Sequence, residues 1–156
     1  MKYILLIITF LNTSFLIGQR SILVPPQAVT TVFEKEYSQK KVLWSIEYGN
    51  EEEIYFEGTF NPVTATKAYV LYDSYGAFKS LKTEISINKL PLKAQDYLKI
   101  NYPIKGKVKS VGKILTKIDD KNNETYIAEA KKDKKMYNIV FNKEGEFIKR
   151  IEIDIL

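Results

Sequence analysis

Pro26-Gln27-Ala28-Val29, running through Phe33 to Tyr37, and Pro91-Leu92-Lys93-Ala94, running through Leu98 to Tyr102, are one stretch written twice. The offset is constant across it (91 − 26 = 65, 102 − 37 = 65). Working outward, each copy closes on the same turn. Tyr72-Asp73-Ser74-Tyr75-Gly76-Ala77-Phe78 is echoed by Phe141-Asn142-Lys143-Glu144-Gly145-Glu146-Phe147. There the offset has grown to 69 (145 − 76 = 69), so the second copy carries a short insertion between helix and turn. A duplication of this length fixes architecture before any single motif is weighed. The two units span about 24–87 and 88–155.

Each unit reads as a helix followed by a meander. Val29, Val32, Phe33 and Tyr37 fall on one helical face, as do Ala94, Tyr97, Leu98 and Tyr102. Pro26 suits the first helical turn, where a missing N–H costs nothing. The apolar period then switches to two. Val42, Trp44, Ile46 and Tyr48 alternate with Leu43, Ser45 and Glu47, and Gly49-Asn50 turns the chain. Ile54, Phe56 and Phe60 mark a second strand, Ala68, Val70 and Tyr72 a third, and a fourth runs to about Ile87. In the second unit Tyr102-Pro103 stops the helix, because a residue before proline leaves the helical region. Strands are predicted near Lys107–Ile118, Glu124–Lys131, Lys135–Phe141 and Glu146–Ile155. The link Ser86–Lys89 is too short for a flexible linker, so residues 19–156 are expected to form one domain.

The N-terminus predicts a compartment. Lys2 precedes the apolar run Tyr3–Leu11 and the step Phe15-Leu16-Ile17, and Gly18 offers a small residue for cleavage. This is the pattern of a secretory signal peptide over residues 1–18. A spanning helix needs about 20 mainly apolar residues, and Asn12-Thr13-Ser14 interrupts the run. A periplasmic or secreted product is expected. The chain has no cysteine, which closes both a lipoprotein anchor and a disulfide framework. Core packing alone must hold it together.

The run Val24-Pro25-Pro26, Val29, Phe33, Tyr37, Val42 and Trp44, followed by a tyrosine-rich meander and Tyr72-Asp73-x-x-Gly76-x-Phe78, resembles the PepSY-like, beta-lactamase-inhibitor-like domain of exported bacterial proteins. Glu84-Ile85-Ser86-Ile87-Asn88-Lys89-Leu90-Pro91 is similar to that family's joint between repeats. The resemblance implies an α+β fold. Two tandem helix-plus-four-stranded antiparallel repeats would merge into one sheet, with both helices on one face. It also implies binding rather than catalysis. The inhibitors of similar fold carry disulfides, which this chain cannot form.

The composition points the same way. Histidine is absent, which excludes a Ser/His/Asp triad and histidine metal sites. No Gly-rich phosphate loop occurs, and Ser38-Gln39-Lys40-Lys41 falls at a helix end, where it cannot serve as a Ser-x-x-Lys nucleophile. No cofactor is expected. Asp120-Lys121-Asn122-Asn123-Glu124 spaces its oxygens as a calcium loop does. However, Thr125 stands where the loop needs glycine and Lys131 where it needs glutamate, so it reads as a polar hairpin tip.

Two surfaces remain as candidates. If Ile54, Phe56, Ala68, Val70 and Tyr72 face the helices, Leu43, Tyr55, Tyr69 and Leu71 point to the opposite face. That set would form an apolar patch for a protein or peptide partner or a second copy, stronger in the first half than around Asn138 and Val140. The second surface is a basic stripe, Lys105, Lys107, Lys109 and Lys113. Residues 19–88 carry 7 basic and 9 acidic side chains, whereas residues 89–156 carry 16 and 10. The stripe reads either as an anion site in a small-ligand or polyanion binder, or as an edge strand blunted by lysines. No specific nucleic-acid contact is expected, since no aromatic platform is evident beside the stripe. Membrane contact is expected only through the signal peptide.

Overall fold

The computed structural model describes residues 23–49, 53–103 and 110–153. The signal-peptide reading of 1–18 therefore lies outside the described residues. The chain forms α1 (Gln27–Glu36), β1 (Val42–Tyr48), β2 (Ile54–Phe60), β3 (Ala68–Asp73) and β4 (Phe78–Glu84). A 3-10 turn (Ile87–Lys89) leads to α2 (Leu92–Asn101), β5 (Val111–Asp119), β6 (Glu124–Lys132), β7 (Lys135–Asn142) and β8 (Phe147–Ile153). All eight strands lie in one antiparallel sheet in chain order. The two meanders meet at a continuous ladder from Ser80↔Asp119 to Glu84↔Leu115.

The helix starts repeat in detail. Pro26 (φ −52°) and Pro91 (φ −55°) each sit at the cap position, one residue before the expected first turn. Each carbonyl accepts N–H bonds from the residues three and four on: Val29 and Thr30, then Ala94 and Gln95. Tyr37 and Tyr102 close the far ends, donating their N–H to Phe33 and Leu98 at 2.7 and 2.8 Å. The closing turns match too. The Asp73 carboxylate accepts the N–H of Tyr75 and Ala77, and the Asn142 amide oxygen accepts those of Glu144 and Glu146. Gly76 and Gly145 have φ of +83° and +82°, and each presses on the first turn of its own helix. A Cβ would lie 2.8 Å from the Ala28 carbonyl oxygen or 2.6 Å from Pro91 Cβ, so glycine is required for both conformation and space.

Both helices cover the same side of the sheet. Directly opposed residues in a ladder share a face. One such row crosses all eight strands: Val42, Phe60, Ala68, Thr83, Thr116, Tyr126, Phe141 and Phe147. Val29 and Phe33 of α1 pack into the cluster holding Phe60 and Ala68. Ala94 and Leu98 of α2 pack into the cluster holding Phe141. Each fully buried Val, Leu or Phe contributes about 1.5–3 kcal/mol. Trp44 belongs to the first cluster as an edge contributor, its ring 5.4 Å from that of Phe33.

Three expectations need correction. Val32 is exposed, so the buried stripe of α1 is narrower than its apolar pattern. β4 ends at Glu84 rather than Ile87, because the chain must leave the sheet to enter the 3-10 turn before α2. β5 is described from Val111, the expected start at Lys107 lying outside the described residues, and it is a central strand between β4 and β6. Lysines blunting an exposed edge therefore do not account for Lys113.

Candidate functional site

The sheet face away from the helices carries the sequence-predicted partner residues. Leu43, Thr59, Tyr69 and Lys82 form one row across β1–β4, continued by Lys117, Thr125 and Asn142. Leu71 lies between Glu57 and Ser80, and Tyr55 between Glu47 and Asp73. Leu43 is 77% exposed, whereas Tyr55, Tyr69 and Leu71 are half-buried. All four stand on one face, with polar and charged residues in the rows between them. Thr59, Glu57 and Asp73 are interleaved among them, because period-two strands bring every odd-numbered neighbour of Tyr55 and Tyr69 to the same surface.

Tyr69 is the centre of a polar network instead. Its hydroxyl donates to Glu84 at 2.8 Å. Lys82 Nζ lies 5.9 Å and Lys113 Nζ 5.2 Å from the centroid of its ring, so two cations flank one aromatic. Lys82 also pairs with Glu57 at 2.6 Å, and Lys113 lies 3.8 Å from Glu84 and 3.9 Å from Glu129. Burial, then the bond to Glu84, push the Tyr69 hydroxyl above its ordinary value. Burial works against the Lys113 charge, but the Tyr69 hydroxyl, then Glu129 and Glu84, outweigh it and hold the ammonium above its usual range. Lys113 thus keeps its charge, with Glu84 and Glu129 as counter-charges within the face. Lys105, Lys107 and Lys109 lie outside the described residues.

Apolar continuity on this face belongs to the second half. Leu115, Ile127 and Val140 are directly opposed on β5, β6 and β7, and Leu115 is 8% exposed. Sequence reading named Val140 of this row but missed Leu115 and Ile127, and it missed the partners Glu57, Lys82, Glu84 and Glu129. The signal for Glu57 was present, since it alternates with Tyr55 and Thr59. The placement of Lys113 beside Tyr69 was not readable, because it depends on the β4–β5 ladder where the two halves meet.

Three solved structures share the architecture. A DUF2874 family protein from Bacteroides ovatus matches with a TM-score of 0.65 at 17% identity, over 83% of this chain and 89% of that one. A protein from Bacteroides eggerthii, provisionally described as periplasmic, matches with a TM-score of 0.67 at 14% identity, over 84% and 91%. A BLIP-like protein from Bacteroides fragilis matches with a TM-score of 0.61 at 17% identity, over 85% and 89%. The fold is BLIP-like. No family model matches the chain, and no curated protein does.

The helix side offers a second concavity. A cleft of about 1100 Å³ lies between α2, the link after β4 and the start of β5. Ile85, Leu98, Tyr102, Val111 and Ile114 line it, with Asp96 and Lys99 among its polar groups. The Asp119–Asn123 hairpin is held by Asp119 itself, which accepts the N–H of Lys121 and Asn123. Among the described residues no three carboxylates converge as a metal site would require. No described helix is long and apolar enough to cross a membrane.

Proposed function

We propose that the chain is an exported, non-enzymatic binding module. Its open sheet face engages a protein or peptide partner around Leu43, Tyr55, Tyr69 and Leu71, in an inhibitory or chaperone-like role. The observation that carries this reading is that α1 and α2 cover one side of an eight-stranded sheet, while among the described residues no element covers the other. On that side the Tyr69 hydroxyl donates to Glu84 and the Tyr55 hydroxyl to Glu53. Tyrosine gives large contact area with a polar tip at low entropic cost, which suits recognition. A similar structure described as BLIP-like supports the binding role, and another described as periplasmic supports the compartment. The absence of histidine and cysteine favours binding over catalysis.

The test is capture from the periplasm of the native cell with the protein and with its Tyr55→Ala/Tyr69→Ala variant. The variant should lose the captured partner while retaining a cooperative thermal transition. Equal retention by both would refute the placement on this face. A salt series adds a second arm, because binding to a polyanion falls steeply with ionic strength.

A second reading, a small-ligand binder in the basic half, rests on the cleft under α2. Its volume suits a small apolar molecule. Asp96→Trp, an exposed position on the cleft wall, should block such binding while leaving the core and the open face untouched.

A further inference from the structure

β1 and β8 are the two edges of the sheet, and an edge strand presents unpaired N–H and C=O groups along its length. They differ in what they offer a partner. In β1, Glu47 is the one charge between Val42 and Tyr48, so no self-register sets opposite charges together. In β8, Phe147, Ile148 and Ile151 are exposed, and Lys149, Arg150 and Glu152 stand among them.

We propose that two copies of this chain pair antiparallel along β8, with the two-fold axis at Ile151. The choice follows from charge and pleat. If both copies keep their helices on one side, opposed residues share a face and the axis must pass through a residue. An axis at Lys149, Arg150 or Glu152 sets like charges face to face. An axis at Ile148 or Ile153 falls beside the irregularity at Val140/Phe141 or at the last strand residue, and leaves few pairs. An axis at Ile151 sets isoleucine against isoleucine and each Arg150 against the other copy's Glu152. Both charges already lie on the helix side. Arg150 stands 4.6 Å from the Tyr137 ring centroid and Glu152 2.7 Å from Lys135. The second copy thus adds to pairs that are in place, and the sheet continues through the dimer.

Sedimentation of the purified protein over a concentration series, with charge reversals, tests this. The unaltered chain should be a dimer. Arg150→Glu and Glu152→Arg should each weaken dimerisation about tenfold or more, and the two together should restore it, since opposite charges again face each other. Ile151→Lys should give a monomer with an unchanged circular dichroism spectrum. A monomer up to about 1 mM, single reversals that leave the dimer intact, or open-ended polymers that would implicate β1 would each overturn the proposal.

Discussion

Where the first half sets Phe60 on β2 against Ala68 on β3, the second sets Ala130 on β6 against Tyr137 on β7. The ring has crossed to the neighbouring strand and the small residue has taken its place. The next pair shows the same compensation. Trp44 lies opposite Gly58, and Ile114 lies opposite Ala128. A large indole needs glycine beneath it, whereas isoleucine leaves room for a methyl group. Tyr72 and Phe141 then occupy equivalent buried positions and differ by one hydroxyl. Packing thus tolerates exchange if total volume is kept. What recurs almost unchanged is backbone geometry: the capping prolines, the closing tyrosines and the two positive-φ glycines.

The exchange can be broken most severely at Phe60. Its ring packs 4.5 Å from Tyr37 and 5.2 Å from Phe33, so Phe60→Ala should cost about 3–5 kcal/mol in urea denaturation. Adding Ala68→Phe, which imitates the second half, should recover part of that loss. Further destabilisation by the second change would mean that the halves are not related by volume exchange.

At Gly58 a Cβ would approach the Trp44 ring to 2.9 Å, and Gly58→Ala should cost about 1–3 kcal/mol through overpacking. Combining it with Trp44→Ile should reduce the cost below the sum of the two single changes.

Tyr72 offers a smaller effect of opposite sign. Its hydroxyl is buried without a hydrogen-bond partner, and burial pushes its pKa up. Tyr72→Phe should be neutral or stabilise by up to about 1 kcal/mol. Phe141→Tyr, the reverse change in the other half, should destabilise, as thermal melts of the pair would show.

The smallest difference is a pH dependence confined to one turn. At Asp73 burial opposes the charge, but the N–H groups of Ala77 and Tyr75 and the Lys79 ammonium prevail and hold its carboxyl below the ordinary value. Its contribution to stability is present above the unfolded-state pKa and is lost as pH falls through the depressed folded value. Asn142 does not titrate. Asp73→Asn should therefore remove part of the acid sensitivity, while Asn142→Asp should add to it, both read from melting temperature against pH.

Much of this architecture was legible in the chain because duplication repeats residues with backbone duties. Prolines at equal spacing and glycine after Asp or Asn marked helix starts and turns without knowledge of packing. Alternation placed Tyr55, Tyr69 and Leu71 together. What alternation cannot supply is which strand lies beside which. The clasp of Lys82 and Lys113 around Tyr69 joins β3, β4 and β5, and so depends on how the two halves meet. The same is true of Leu115, Ile127 and Val140, which are scattered in sequence and become a row only through register.

The central claim is that the uncovered sheet face is the face that binds. Photo-crosslinking in the exporting cell tests it most directly, with the reactive group placed in turn at Leu43 and Thr59 on the open face and at Val32 and Leu92 on the outer helix surfaces. Higher-mass adducts from Leu43 and Thr59, with none from Val32 or Leu92, are the predicted result. Adducts from the helix positions alone would contradict the account and move the site to the opposite side of the sheet.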